Sequence, residues 1–134
     1  MTKIATEDPR ISDLVKYEQA PEHGWCREDV EIELAAETDL KIGTVLGKIT
    51  ASGVYVPVNA SQVAGQEGAE VAAAVLLENV TIPAGEATTV TAAVQGAMIV
   101  RDEALIFVNT HNDTERAAAI DALAALGIDT RTGD

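Results

Sequence analysis

The chain has 134 residues, a length typical of one domain, with 22 acidic against 9 basic side chains and a net charge of −13. Because such a surface repels phosphate groups, binding to nucleic acid is not expected. Aromatic residues make up only 3% of the chain, so its core has to be built from aliphatic side chains and alanine, which favours a compact β structure.

The N-terminal sequence lacks the apolar run of a signal peptide, and no stretch approaches the ~18 continuous apolar residues of a membrane span. A single cysteine, Cys26, excludes an intramolecular disulfide and offers no zinc-binding spacing. We therefore expect a protein that is made in a cytoplasm and that does not bind membranes.

Residues 1–29 differ from the rest of the chain because they follow neither the period of a strand nor that of a helix. They nevertheless contain Tyr17 and Trp25, and a disordered tail usually lacks such aromatic side chains. Large aromatics in a segment without its own core either fold back onto the same domain or dock onto a partner. The sequence predicts an extended arm over 1–29 and a β-rich domain over 30–134.

Alternating apolar and acidic residues from Val30 to Leu34 predict a half-buried strand with an acidic outer face. Two further strands, Thr44–Thr50 and Val54–Val58, are predicted to form a hairpin. The turn between them ends at Gly53, which can adopt a positive φ.

A polar, glycine-containing loop is predicted over residues 59–70, and Ile82–Gly85 has the composition of a turn. Gly96 interrupts the β pattern and indicates a bulge or a close backbone approach. Four segments have the residue pattern of strands: Val71–Leu77, Thr88–Val94, Ala97–Val100 and Leu105–Val108.

One helix is predicted near the C-terminus, over about Thr114–Leu126. Asn112 and Glu115 have the spacing of a capping box, and Gly127 is placed to end the helix in the left-handed conformation. The residues predicted to form its apolar face are Ala117, Ile120, Leu123 and Ala124. Residues 128–131 are expected to be extended.

No catalytic residue, metal ligand or cofactor site is predicted. His23 and His111 lie far apart in polar segments, and neither has the partner at i+4 that a helical metal site would offer. His23 and Cys26 are close in sequence, but that spacing in a loop does not establish a thiolate–imidazole pair. The many carboxylates are dispersed along the chain rather than convergent.

The order and spacing of the apolar segments carry a family resemblance, although no single segment is specific. The segments are the hairpin within Leu40–Val58, the run Ala72–Val80, Val94–Ala97 and the helix end Ala122–Ile128. Together they resemble the head decoration proteins of tailed bacteriophages, the lambda-type capsid-stabilising proteins. The resemblance covers roughly Leu14 to Arg131.

This resemblance implies a mainly β (α+β) fold, a small barrel-like or β-clip domain with one short C-terminal helix and an extended N-terminal arm. It implies a homotrimer that binds the major capsid protein at three-fold and quasi-three-fold positions, on the outside of an expanded shell, and stabilises that shell against genome pressure. It also implies an arm that is flexible in the free protein and orders on the capsid, often by strand addition. The residues that match the capsid-binding part of the arm are Leu14, Val15, Lys16, Tyr17 and Trp25. Residues 1–12 precede them as an extension without an assigned role.

Two other functions fit the sequence less well. A small trimeric β domain could bind a ligand or serve a different assembly, with the arm as the assembling segment. An enzyme of dUTPase-like architecture, with sites between subunits, would require polar residues gathered at strand ends. The dispersed acidic residues of this chain do not show such gathering.

Overall fold

The computed structural model describes residues 10–20 and 24–132, which contain ten strands, two α-helices and one 3-10 helix (residues 102–104). It confirms the predicted mainly β fold with one long helix near the C-terminus. In chain order the helices and strands are α1 (Ile11–Leu14), β1 (Val15–Glu18), β2 (Arg27–Ile32), β3 (Thr38–Leu40), β4 (Val45–Lys48), β5 (Tyr55–Pro57), β6 (Ala72–Leu76), β7 (Val80–Ile82), β8 (Thr88–Ala93), β9 (Met98–Arg101), α2 (Asp113–Ala125) and β10 (Ile128–Arg131).

Five strands close into a barrel in the order β2-β5-β4-β6-β8. The predicted hairpin is confirmed as the antiparallel pair β4–β5, in which Leu46 lies opposite Pro57, and Gly53 adopts a φ of +78° in its turn. The interior of the barrel is filled by aliphatic and alanine side chains with one tyrosine. The barrel strands contribute Val30, Ile32, Leu46, Tyr55, Ala74, Leu76, Val90 and Ala92 to this apolar cluster, and Leu40 of β3 and Ile82 of β7 complete it.

A second layer packs against one side of the barrel. It consists of α2 and a three-stranded sheet in the order β1-β9-β10, while β3 and β7 form a separate two-stranded sheet. A second apolar cluster joins this layer to the barrel strands. Its most deeply buried members are Leu14, Cys26, Val45, Val58, Val75, Ala93, Met98, Val100, Leu123 and Ile128. The fold therefore has two adjoining apolar clusters, one inside the barrel and one beneath the sheet and the helix.

The ends of α2 are those that the sequence predicts. The Asn112 side chain accepts a hydrogen bond from the Glu115 backbone N–H at 2.8 Å, and the Glu115 carboxylate accepts from the Asn112 N–H at 2.9 Å. Gly127 has a φ of +93°, which ends the helix and redirects the chain into β10.

The predicted apolar face of α2 is partly wrong. Leu123 is buried as expected, but Ala117 and Ala124 are exposed, and Ala119 is the second buried residue of the helix. The physical reason is composition, because alanines occupy nearly every face of this helix and their spacing hardly distinguishes one face from another. The single leucine within the helix determines which face packs against the core.

The prediction of a strand over Leu105–Val108 is wrong. Ile106 makes one isolated bridge with Thr44, and its backbone carbonyl accepts from the Val45 N–H at 3.0 Å. Pairing stops there because β4 already has β5 on one side and β6 on the other. The chain then turns away, and the Asn109 side chain donates to the Val58 carbonyl at 3.1 Å.

Candidate functional site

The three-stranded sheet attaches the described part of the predicted arm to the domain. In it, β1 runs antiparallel to β9, with Val15 opposite Val100 and Tyr17 opposite Ile99, and the register shifts at Lys16 between them. Neighbouring side chains of β9 alternate, so Val100 faces the core and Ile99 faces outward. The register shift at Lys16 allows Val15 to face the core and Tyr17, two residues later, to face outward. Of the two possible placements of the arm, the described residues show the one in which it folds onto its own domain.

The five residues predicted to bind the capsid fall into two groups. Leu14 is 1% exposed within the apolar cluster and Val15 is half-buried. Lys16 is exposed, and Tyr17 and Trp25 expose 51% and 54% of their surface. Only the second group can meet a partner without a change in the fold, whereas Leu14 holds the segment in place.

Trp25 is fixed at its backbone and at its ring nitrogen while most of the ring remains accessible. Its Nε1–H donates to the Gly96 carbonyl at 3.1 Å, and the Gln95 side chain donates to the Trp25 carbonyl at 2.7 Å. An aromatic ring held in one orientation loses little conformational entropy when a partner covers it. Such anchored, half-exposed aromatics are typical of the residues that dominate binding energy at interfaces.

Two apolar side chains beside these aromatics were missed by the sequence reasoning. Leu126 is 37% exposed, and its carbonyl accepts from the Gly96 N–H at 2.8 Å, so Leu126 and Trp25 flank the same glycine. Ile99 lies opposite Tyr17 and follows Gly96 by three residues, a span of at most about 11 Å. We call Tyr17, Trp25, Ile99 and Leu126 the aromatic patch.

An ion pair and a buried thiol hold the segment that carries the patch. The Arg27 guanidinium donates to both carboxylate oxygens of Glu18, at 2.8 and 2.7 Å, and this hydrogen bonding raises the pKa of Arg27. The Cys26 thiol lies 3.5 Å from the Ala97 carbonyl oxygen as a hydrogen-bond donor, and burial raises the pKa of that thiol. A buried thiol of raised pKa is a poor nucleophile, so Cys26 contributes packing.

Ionisable side chains of the described part line one surface depression of about 220 Å³, where His111 lies with Glu70 and Glu115. Within residues 10–20 and 24–132, no group of three or more His, Cys, Asp or Glu side chains is arranged to hold a metal ion. The His111 Nδ1 lies 2.7 Å from the Asn109 carbonyl oxygen, and its ring packs at 4.7 Å from that of Phe107. His23 lies outside the described residues. A surface depression of about 360 Å³ has Glu33 as the one ionisable residue in its lining.

No helix in the described part of the chain is both long and apolar enough to cross a membrane. Among curated proteins none matches this chain. The model of a protein family, described as bacteriophage lambda head decoration protein D, matches residues 4–128. That match starts ten residues before Leu14, where the resemblance read from the sequence begins, and it covers nearly the whole chain. The chain therefore belongs to the bacteriophage lambda head decoration protein D family.

Proposed function

We propose that this chain is a decoration protein that binds the outer surface of an expanded phage capsid as a homotrimer. Membership of the family implies a structural, capsid-binding component of the virion, in a family that is not known for enzymatic activity. The finer proposal is that trimers sit over three-fold and quasi-three-fold positions, contact the major capsid protein and stabilise the shell against genome pressure. The protein is synthesised in the bacterial host cytoplasm and then joins the capsid.

The observation that supports this proposal is the aromatic patch, which includes Tyr17 on the edge strand β1 of the three-stranded sheet. β1 and β10 are the two edge strands of that sheet, and no other described strand pairs with the second side of β1. An unpaired edge offers a row of backbone donors and acceptors to an extended segment of another protein. Tyr17 and Trp25 then supply apolar contact beside those hydrogen bonds.

The predicted capsid-binding residues take different parts in this proposal. Lys16, Tyr17 and Trp25 contact the capsid directly, while Leu14 and Val15 fix β1 against the core so that its free edge is presented. Residues 1–29 remain the proposed arm and 30–134 the proposed body, with residues 1–9 and 21–23 of the arm outside the described part.

Trimer formation multiplies the effect of a weak individual contact. When one copy of the aromatic patch in a trimer has bound the capsid, the other two copies are held close to their own binding sites at a high effective concentration. The trimer therefore binds the capsid more tightly than one copy alone would. Attachment at several subunits also ties those subunits together, which opposes outward pressure. Capsid binding of this kind requires no chemistry from the bound protein.

Tyr17→Ala and Trp25→Ala are each expected to weaken binding to expanded capsids by about thirty-fold per site, which corresponds to ~2 kcal/mol. The reason is that each variant removes a large aromatic surface from the contact. Co-sedimentation of the purified protein with expanded capsids, over a range of protein concentrations, measures the effect.

Val63→Ala provides the matched control, because Val63 is 42% exposed but lies in the loop of residues 59–70, outside the three-stranded sheet. It should bind as the wild type does. Trp25→Phe separates the ring from its hydrogen bond to Gly96 and should lose less affinity than Trp25→Ala. If Tyr17→Ala and Trp25→Ala both bind capsids with wild-type affinity, the assignment of the aromatic patch to the capsid contact is refuted.

A further inference from the structure

A surface depression of about 250 Å³ lies beside strand β5 and has no ionisable residue in its lining. Its apolar side chains include Leu34, Val56, Pro57 and Val108, and Val108 exposes 47% of its surface. The depressions of about 220 and 360 Å³ both contain carboxylates. An uncharged and partly apolar surface of this kind is unexpected in a chain of net charge −13.

Three amide side chains form the polar part of this depression, which we call the amide depression. The Asn109 Nδ2 donates to the Asn59 Oδ1 at 2.9 Å, and the Asn59 Nδ2 donates to the Gln66 Oε1 at 2.9 Å. Asn59 is only 8% exposed, and Asn109 also donates to the Val58 carbonyl at 3.1 Å. Hydrogen bonds to neighbouring groups therefore hold all three amides in place.

This network ends in one unused donor and one unused acceptor. In the described part of the chain, no group accepts from the Gln66 Nε2 and none donates to the Asn109 Oδ1. Gln66 is half-buried and Asn109 is exposed, so a partner can reach both. A peptide group offers one C=O acceptor and one N–H donor, which are the groups that these two amide atoms require.

Charge favours a second copy of this chain as the partner. Two copies that each carry a net charge of −13 repel one another, so a stable contact between them needs a surface free of carboxylates. A trimer with three-fold symmetry is also built from heterologous contacts, in which one surface of each copy meets a different surface of the next. The amide depression, with Val108 beside it, supplies an uncharged and concave half of such a contact.

We propose that the amide depression binds a backbone segment of the neighbouring copy in the trimer. The Gln66 amide donates to a carbonyl of that segment, and the Asn109 amide accepts from one of its N–H groups. Val108 and Pro57 pack against apolar side chains of the same segment. The inference rests on the proposed trimeric capsid-binding function, and it assigns the contact between copies to a surface separate from the aromatic patch.

Gln66→Glu tests this contact, because it keeps the oxygen that accepts from Asn59 and replaces the unused donor by a carboxylate oxygen. Gln62→Glu is the matched control, since Gln62 is exposed in the same loop but does not line the depression. Sedimentation velocity over a range of protein concentrations measures the trimer. Gln66→Glu should raise the concentration at which half of the trimers dissociate by about tenfold or more, and Gln62→Glu by less than about twofold. Urea unfolding of both variants checks that they are folded.

If the wild-type protein is monomeric in solution, the binding isotherm with expanded capsids measures the same contact. Association between neighbouring copies on the shell makes that isotherm cooperative. Gln66→Glu should lose the cooperativity and Gln62→Glu should keep it.

The outcomes separate this inference from the proposed function. If the two variants associate equally while the wild-type protein binds capsids as trimers, the amide depression is refuted as the contact and the capsid function stands. If Gln66→Glu associates normally but binds capsids weakly, the depression contacts the capsid and the inference is wrong. A wild-type protein that forms trimers without binding capsids refutes the proposed function, while dissociation of its trimers still tests the depression. A wild-type protein that is monomeric and shows no cooperative binding refutes both.

Discussion

Gly96→Ala is expected to lower the free energy of unfolding by about 3 kcal/mol or more, because the position has no room for a side chain. A Cβ placed on Gly96 would lie 1.8 Å from the Gly127 carbonyl oxygen. Neither backbone can easily shift, since the Gly96 N–H donates to Leu126 at 2.8 Å and the Gly127 carbonyl accepts from Met98 at 3.1 Å. Equilibrium unfolding in urea measures the loss.

Gly65→Ala is the matched control for this substitution. Gly65 has a φ of +87° but no atom within 4 Å of the added Cβ. It should therefore lose only the ~1 to 2 kcal/mol of a left-handed alanine, although it has the less favourable backbone conformation. An equal loss in the two variants would mean that backbone conformation, rather than the contact between Gly96 and Gly127, decides the cost.

Leu14→Ala is expected to destabilise the protein by about 2–5 kcal/mol, the range for removing a buried leucine side chain. Leu14 is 1% exposed and belongs to the same apolar cluster as Val100 and Leu123. The loss is a test of whether the arm is part of the folded domain. If the segment around Leu14 were detached from the domain in solution, this substitution would hardly change the urea midpoint.

Lys16→Ala changes an exposed residue two positions along and should alter stability by less than about 0.5 kcal/mol. Tyr17→Ala should likewise weaken capsid binding while leaving most of the stability intact, because about half of that side chain is already exposed. Stability and capsid affinity, measured on the same variants, distinguish Leu14, which holds the arm on the domain, from Tyr17, which contacts the capsid. Deletion of residues 1–29 cannot make this distinction, since it also removes Leu14 and Cys26 from the core.

Features fixed by local sequence were predictable. The hairpin β4–β5 required a glycine in its turn, and the capping box of α2 required Asn112 and Glu115 at that spacing. Gly96 was predicted to mark a bulge or a close approach, and the contact with Gly127 shows the close approach. In each case a residue type with a specific backbone or capping role indicated the structure.

Features fixed by long-range packing were not predictable in the same way. Leu105–Val108 has a strand composition, but the barrel strand that it meets already has two partners. The aromatic patch includes Ile99 and Leu126, whose exposure depends on contacts between residues far apart in sequence. The sequence contained one indication that Leu126 would be exposed. This residue adjoins Gly127 at the end of the predicted helix and lies outside the predicted apolar face.

The central claim is that trimers of this protein bind the capsid through the side that carries the aromatic patch. A cryo-electron microscopy reconstruction of expanded capsids mixed with the protein tests it most directly. We predict three-fold symmetric density over three-fold and quasi-three-fold positions, with β1, Tyr17 and Trp25 against the shell. Isolated single copies away from those positions, or copies attached through the barrel, would contradict the account.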